Sequence, residues 1–203
     1  MHYFRIFGVL YKKEVRMFVK RMILAVATML LVAASVSAQD DGGRKLTKKE
    51  RKALQERMDS LANAEAQKAI DDTAFVIEAD EVTFKRGYTA HVDAGTNFVG
   101  FCGDKAVVQV AFNVPWPGFN GLGGITLDGY ISRYEKTTDK RGNVYIRASV
   151  NGSGLSAQLL VTLWNGGREA SVSIQPNFRS ARLTLTGVVV PAEESRVFKG
   201  RAI

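Results

Sequence analysis

The sequence predicts a mainly β domain: an antiparallel meander of about eight or nine strands, curled into an open barrel or folded over as a sandwich, behind one charged helix. Two observations carry this. Between Thr47 and Asp72 apolar residues recur at helical intervals, whereas after Asp72 the pattern switches to period two and keeps it. The period-two runs are parted by short turns rich in Gly, Asn and Asp, namely Gly103-Asp104-Lys105, the stretches 138–142 and 151–154, and Asn165-Gly166-Gly167.

The chain opens with an address. Lys20 and Arg21 precede an apolar run from Met22 to Ala34, and Val36-Ser37-Ala38 then supplies small residues before Gln39, the pattern of a secretory signal peptide over residues 1–38 with cleavage after Ala38. Translation starts at Met1 or at Met17. The expected location is the periplasm or beyond it, and the 165 remaining residues suit one domain with an appendage. No later apolar run approaches the length of a membrane helix, so the mature chain is not expected to span a membrane.

Residues 39–47 read as a polar linker. Thr47 and Glu50 have capping-box spacing, and Leu54, Met58 and Leu61 mark one thin apolar stripe, so a helix is expected from about Lys48 to Ala69, lying on the domain or standing as a solvated stalk. The β domain occupies residues 74–203. Its expected strands are Phe75 to Glu78, Val82 to Lys85, Asn97 to Cys102, Ala106 to Phe112, Ile125 to Tyr134, Asn143 to Val150, Leu155 to Trp164, Ala170 to Gln175 and Arg182 to Val190. The later ones separate their faces cleanly: Val144, Ile146, Ala148 and Val150 alternate with Tyr145, Arg147 and Ser149, which makes one face core and the other wet.

Charge excludes one class of partner. The formal net charge is +8, yet the segment to Ala38 holds six of the 28 Lys and Arg residues and only one of the 20 acidic ones, so the mature chain carries +3. Seven of the remaining basic residues crowd between Arg44 and Arg57, leaving no broad basic face for nucleic acid. That run reads as the wet side of the helix, with attraction to an anionic surface as the alternative.

The strings FVIEADEVTFKRG, GGITLDG, TTDKRGNV, NFRSARLTLTG and PAEESRVFKGR resemble the secreted Bacteroidales proteins grouped as domain of unknown function 4251 (DUF4251), over the stretch from about Leu46 to the C-terminus. The resemblance implies an envelope location and a single compact domain; it implies no activity and carries no catalytic residues.

The residues themselves supply little catalytic equipment. His91 is the only histidine after Ala38 and Cys102 the only cysteine of the chain, so no disulfide and no histidine-based metal cluster can be assembled within one chain. A Cys102 nucleophile paired with His91 is weighed against a small buried hydrophobe, and the latter is favoured. The acidic groups Glu78, Asp80, Glu81 and Glu193-Glu194 lack ligand-loop spacing and read as solvated surface. The stretch Pro115 to Gly124 opens into a strand rather than a helix, which argues against phosphate, although it presents Trp116 and Phe119 on a loop. No catalytic residue, metal or cofactor is expected.

The expected ligand-binding residues lie on the wet face: Asp128, Tyr130 and Tyr134 on one strand, Tyr145 and Arg147 on its hairpin partner, and Trp116 on the loop. Aromatic rings flanked by carboxylate and guanidinium suit a sugar or a peptide edge. The sequence thus favours a non-enzymatic exported binding module for a glycan, a lipid held inside the sheet, or an envelope protein. The alternatives are an assembly accessory docking a partner through its helix, a small outer-membrane barrel, and a hydrolase using carboxylates alone.

Overall fold

A computed structural model describes residues 46–112, 121–177 and 182–202; the segment read as a signal peptide and most of the expected linker lie outside the described residues. One helix, α1 (Lys48–Asp71), precedes nine strands: β1 (Ala74–Phe84), β2 (Thr89–His91), β3 (Phe98–Cys102), β4 (Lys105–Val110), β5 (Ile125–Thr138), β6 (Val144–Gly152), β7 (Ser156–Leu163), β8 (Glu169–Pro176) and β9 (Leu183–Pro191).

From β3 to β9 each strand pairs antiparallel with the next, as the short turns require, and β9 then pairs with β1 from Phe84↔Leu183 to Phe75↔Pro191. This closes an eight-stranded barrel and decides between the two sheet forms that the alternation alone permits. The other edge of β1 is shared, by β3 along Ala74 to Glu78 and by the extra strand β2 along Glu81 to Thr83. The expected strands at Phe75 and Val82 are one continuous β1. The ladder slips between Ala79 and Glu81, where Asp80 bulges, and this slip breaks the strict alternation that sequence reading depends on. The backbones come so close beside this bulge that a Cβ on Gly187 would lie 1.9 Å from the Glu78 carbonyl oxygen. Only glycine fits there.

The inward residues fill the barrel. Ile77, Val82, Val99, Ile146, Val150, Val161, Val172 and Leu185 are fully buried, and Phe75 stacks on Phe101 at 4.7 Å between ring centroids. The small membrane-barrel alternative needs the opposite arrangement, apolar side chains outward and polar ones inward; here the apolar set faces in.

The C-terminal half of α1 caps one end of the barrel. Ala66, Ala69 and Ile70 are buried in the same apolar cluster, and the Asn63 amide donates to the backbone carbonyls of Trp164 (3.3 Å) and Gly167 (2.6 Å) in the β7–β8 turn. The expected apolar stripe plays no part in this. Leu54, Met58 and Leu61 are 50%, 56% and 65% exposed, because the helix docks through Ala66, Ala69, Ile70 and the Asn63 amide.

Candidate functional site

On a barrel strand successive side chains point alternately into the core and onto the outer wall, so a single bulge moves every later residue to the other face. This happens in β5, whose ladder with β6 shifts between Ile131 and Arg133. Asp128 and Tyr130 face outward as expected. Tyr134 does not share their face: it is half-buried against the end cap, its ring meets Phe101 edge-on at 6.1 Å between centroids, and its hydroxyl donates to the Ile70 carbonyl at 3.3 Å. Burial raises the Tyr134 pKa above its ordinary value, assisted by Asp71 and opposed by a hydrogen bond with Thr73. Tyr134 is therefore a packing residue that ties the barrel to α1.

The other expected residues fall into separate groups. Tyr130 pairs across the ladder with Asn151, whereas Tyr145 and Arg147 pair with Thr137 and Glu135. Six positions of β6 separate Asn151 from Tyr145, roughly 20 Å along an extended strand. Tyr130 carries the Lys105 ammonium 5.2 Å from its ring centroid, and Asp128 pairs with Lys199. Trp116 lies outside the described residues. The pairing of Cys102 with His91 also fails: they sit opposite Ala74 and Glu81 at the two ends of β1, and Cys102 is exposed rather than a buried hydrophobe because it closes β3 at the turn. Among the described residues no three His, Cys, Asp or Glu side chains gather as metal ligands would.

The wall around Asp128 is covered by the chain itself. Residues 192–202 follow β9 without regular structure and run along the wall as a strap, meeting Glu78 of β1, Gly95 before β3, Gln109 of β4 and Asp128 of β5. Its centre is held by Gln109, an outward residue that is nonetheless fully buried. The Gln109 amide nitrogen donates to the carbonyls of Thr96 (2.9 Å) and Phe198 (2.7 Å), and its oxygen accepts from the Thr126 hydroxyl (2.9 Å) and the Gly200 N–H (2.7 Å). At one rim the Ser195 hydroxyl donates to Glu78 at 2.7 Å.

The wall of β6 to β9 is open, and its side chains fall into registered cross-strand rows. One row runs Tyr145, Thr162, Ser171, Thr186, Glu81; the next runs Arg147, Leu160, Ser173, Thr184, Thr83. Neighbours within a row stand about 4.8 Å apart and the rows about 6.7 Å apart, which makes a grid of hydroxyls. Nine outward positions on β7, β8 and β9 (Gln158, Leu160, Thr162, Ser171, Ser173, Gln175, Thr184, Thr186 and Val188) carry no ionisable group, and the charges stand at the margins, with Glu169 opening β8 beside Val188 and Arg147 on β6. Rings stand at one margin: Trp164, 41% exposed after β7, and Tyr145, whose hydroxyl donates to Asp139 at 3.2 Å. Asp139 shapes the β5–β6 turn by accepting from the N–H groups of Arg141 (2.8 Å) and Asn143 (2.9 Å) and from the Asn143 side chain (2.8 Å). These bonds, the Asn143 side chain foremost, lower its pKa below the ordinary carboxyl value.

Tyr145 and Arg147 thus remain on an accessible face, joined by hydroxyl residues that sequence reasoning passed over. Their signal was present, since the polar partner in the alternation of β7, β8 and β9 is mostly Ser or Thr, but their alignment into rows depends on register.

The fold and wall define a helix-capped, closed antiparallel barrel with a polar hydroxyl face. Comparison with known proteins gives the particular group: the family model for DUF4251, a domain of unknown function, matches residues 57–189, and the chain belongs to that family. A crystal structure of a DUF4251 family protein from Bacteroides eggerthii DSM 20697 is similar at 44% sequence identity, covering 73% of this chain and 99% of that chain, with a TM-score of 0.63. No curated protein matches.

Proposed function

We propose that this chain is an exported, non-catalytic binding domain of the bacterial envelope that takes an uncharged glycan on the outer wall of β6 to β9. The observation that carries the reading is the hydroxyl grid beside Tyr145 and Trp164. Hydroxyls both donate and accept, as sugar hydroxyls do, and an aromatic face offers an apolar surface to a sugar ring. Arg147 is the one basic side chain in the two rows, a single counter-charge for an anionic ligand, and with Leu160 and Val188 as its only large apolar members the wall lacks the apolar centre of a protein interface. A lipid inside the barrel would have to displace a filled core. Export rests on the Met17 to Ala38 segment. A second reading, an accessory held to a partner through α1, is favoured by the exposed stripe Leu54, Met58 and Leu61.

The test is native electrophoresis through gels containing dextran, laminarin or mannan. The reading expects retardation by at least one of them, lost in Ser171→Lys/Thr186→Lys and in Trp164→Ala, and kept in Tyr130→Ala, which lies on the distant group. Retardation by none of the three, or equal retardation of all variants, would overturn it.

A further inference from the structure

The side of α1 that docks on the barrel continues beyond the contact itself. Asp59, Ser60 and Asn63 lie three, four and seven positions after Glu56, hence on one side of the helix, and Ala66 and Ile70 carry the same side into the barrel end. Ahead of Asn63 the helix and the β7–β8 turn part and leave a cleft of about 370 Å³, lined by Glu56, Asp59, Ser60, Asn63, Asn165 and Gly166. Small-ligand sites measure about 300–1,000 Å³. The Asn63 amide closes the inner end by bridging from the helix to the carbonyls of Trp164 and Gly167. Packing does not explain this lining: apolar side chains at 56, 59 and 60 would dock the helix further, yet the sequence puts polar groups there and its leucines elsewhere.

The cleft adjoins the wall. Leu160, Thr162 and Trp164 are the outward residues at the end of β7, and Asn165 and Gly166 follow at once, so a single turn forms both the rim of the wall and one side of the cleft. Asn165 is held in place there by donating its side-chain amide to the Arg141 carbonyl at 2.9 Å. Glu56 and Asp59 are the two charged side chains of the lining. Their partners are exposed neighbours on α1: Lys52 stands 3.8 Å from Glu56, and the Gln55 amide donates to Asp59 at 2.7 Å. A carboxylate has about four acceptor sites, so each keeps capacity for a ligand.

We infer that the cleft holds the terminal sugar of the glycan, a neutral residue with adjacent free hydroxyls, while the rest of the chain runs over Trp164 onto the wall. The inference rests on the wall reading above and adds to it an end-specific subsite. Sugar hydroxyls donate to Glu56 and Asp59, and hydrogen bonds to a carboxylate are about twice as strong as the neutral ones that Ser and Thr of the wall can make. The two carboxylates repel a sugar acid. Because Asn63 blocks the inner end, a chain cannot pass through, and the cleft reads a chain end rather than a stretch within it.

The test is calorimetric titration of the chain from Gln39 onward with tetrasaccharides cut from dextran, laminarin and mannan, beside the parent polysaccharides at equal sugar mass. This part is expected to fold alone, since the crystallised relative is covered over 99% of its length by 73% of this chain. At least one tetrasaccharide should bind and should reach half-saturation at a lower sugar mass than its polymer, having more ends. Glu56→Ala/Asp59→Ala should weaken that binding by at least about tenfold, and Glu56→Gln/Asp59→Asn by less, since an amide oxygen still accepts. Both positions lie on the helix surface, and an unchanged circular dichroism spectrum verifies folding. Unchanged affinity in Glu56→Ala/Asp59→Ala, or a tetrasaccharide no better per sugar than its polymer, overturns the inference. If binding survives that variant and is lost in Ser171→Lys/Thr186→Lys, the cleft falls and the wall stands. The reverse pattern supports the cleft and overturns the wall, and no binding of any probe overturns both.

Discussion

Replacing Gln109 with leucine keeps the size of the side chain and removes four hydrogen bonds, those to Thr96, Phe198, Thr126 and Gly200. A typical bond contributes about 1 kcal/mol net, which sets an upper value of about 4 kcal/mol. The strap is held mainly by polar contacts and can swing into water, so Phe198 and Gly200 regain solvent partners; the fully buried Thr126 hydroxyl does not. The expected loss is therefore about 2–3 kcal/mol, which in a domain of this size lowers Tm by roughly 5–10 °C. Thermal unfolding gives the total, and amide exchange gives its location. The N–H groups of Phe198 and Gly200, now bonded to Gly95 and Gln109, should exchange much faster while β7 and β8 stay protected. A Tm within about 2 °C of the parent, or faster exchange spread evenly over the barrel, would refute the claim that this amide pins the strap.

Other expectations follow from single contacts. Gly187→Ala should prevent or severely impair folding, by more than about 4 kcal/mol, since the new Cβ meets the Glu78 carbonyl at the strand pair that closes the barrel; soluble yield and circular dichroism report it. Asn63→Ala should cost about 1–2 kcal/mol in denaturant unfolding and speed amide exchange in α1 before β6, because its amide carries the helix onto the β7–β8 turn. The pH dependence has two limbs. Tyr134 has a raised folded pKa, so its contribution is complete below about pH 10 and is lost as pH rises above that, and Tyr134→Phe should flatten the alkaline limb of the Tm profile. Asp139 has a lowered folded pKa, so its contribution is complete above about pH 4 and is lost as pH falls below it; Asp139→Asn should flatten the acid limb.

Much of the fold was legible because the sequence alternates without ambiguity from β5 to β9, where Val144 to Val150 and Leu155 to Leu163 show their inward faces plainly. The limits of α1 were also readable, ending at Asp71 two residues past the expected Ala69. What escaped was set by tertiary pairing. The bulges at Asp80 and after Ile131 change which face a residue occupies without changing its neighbours in sequence, which split β1 in two and put Tyr134 on the wrong side. The three-residue β2 is too short to show a period, and closure through β1 and β9 joins residues 99 to 116 positions apart. For α1, the apolar stripe left a docking face and a solvated stalk both open, whereas the barrel end accepts Ala66 and Ala69, whose small size permits close approach, together with Ile70. Of the candidate site, Tyr145 and Arg147 were legible as outward residues, but the rows joining Tyr145 to Thr186 exist only through the register of four strands.

The central claim is that the open wall holds an uncharged glycan, and the most direct measurement is an amide-shift titration of the protein with oligosaccharides cut from dextran, laminarin and mannan. The account expects saturable shifts confined to Tyr145, Thr162, Ser171, Ser173, Thr184, Thr186 and their neighbours on the wall. Shifts centred on the buried interior or on the strap, or none with any of the three, would contradict it.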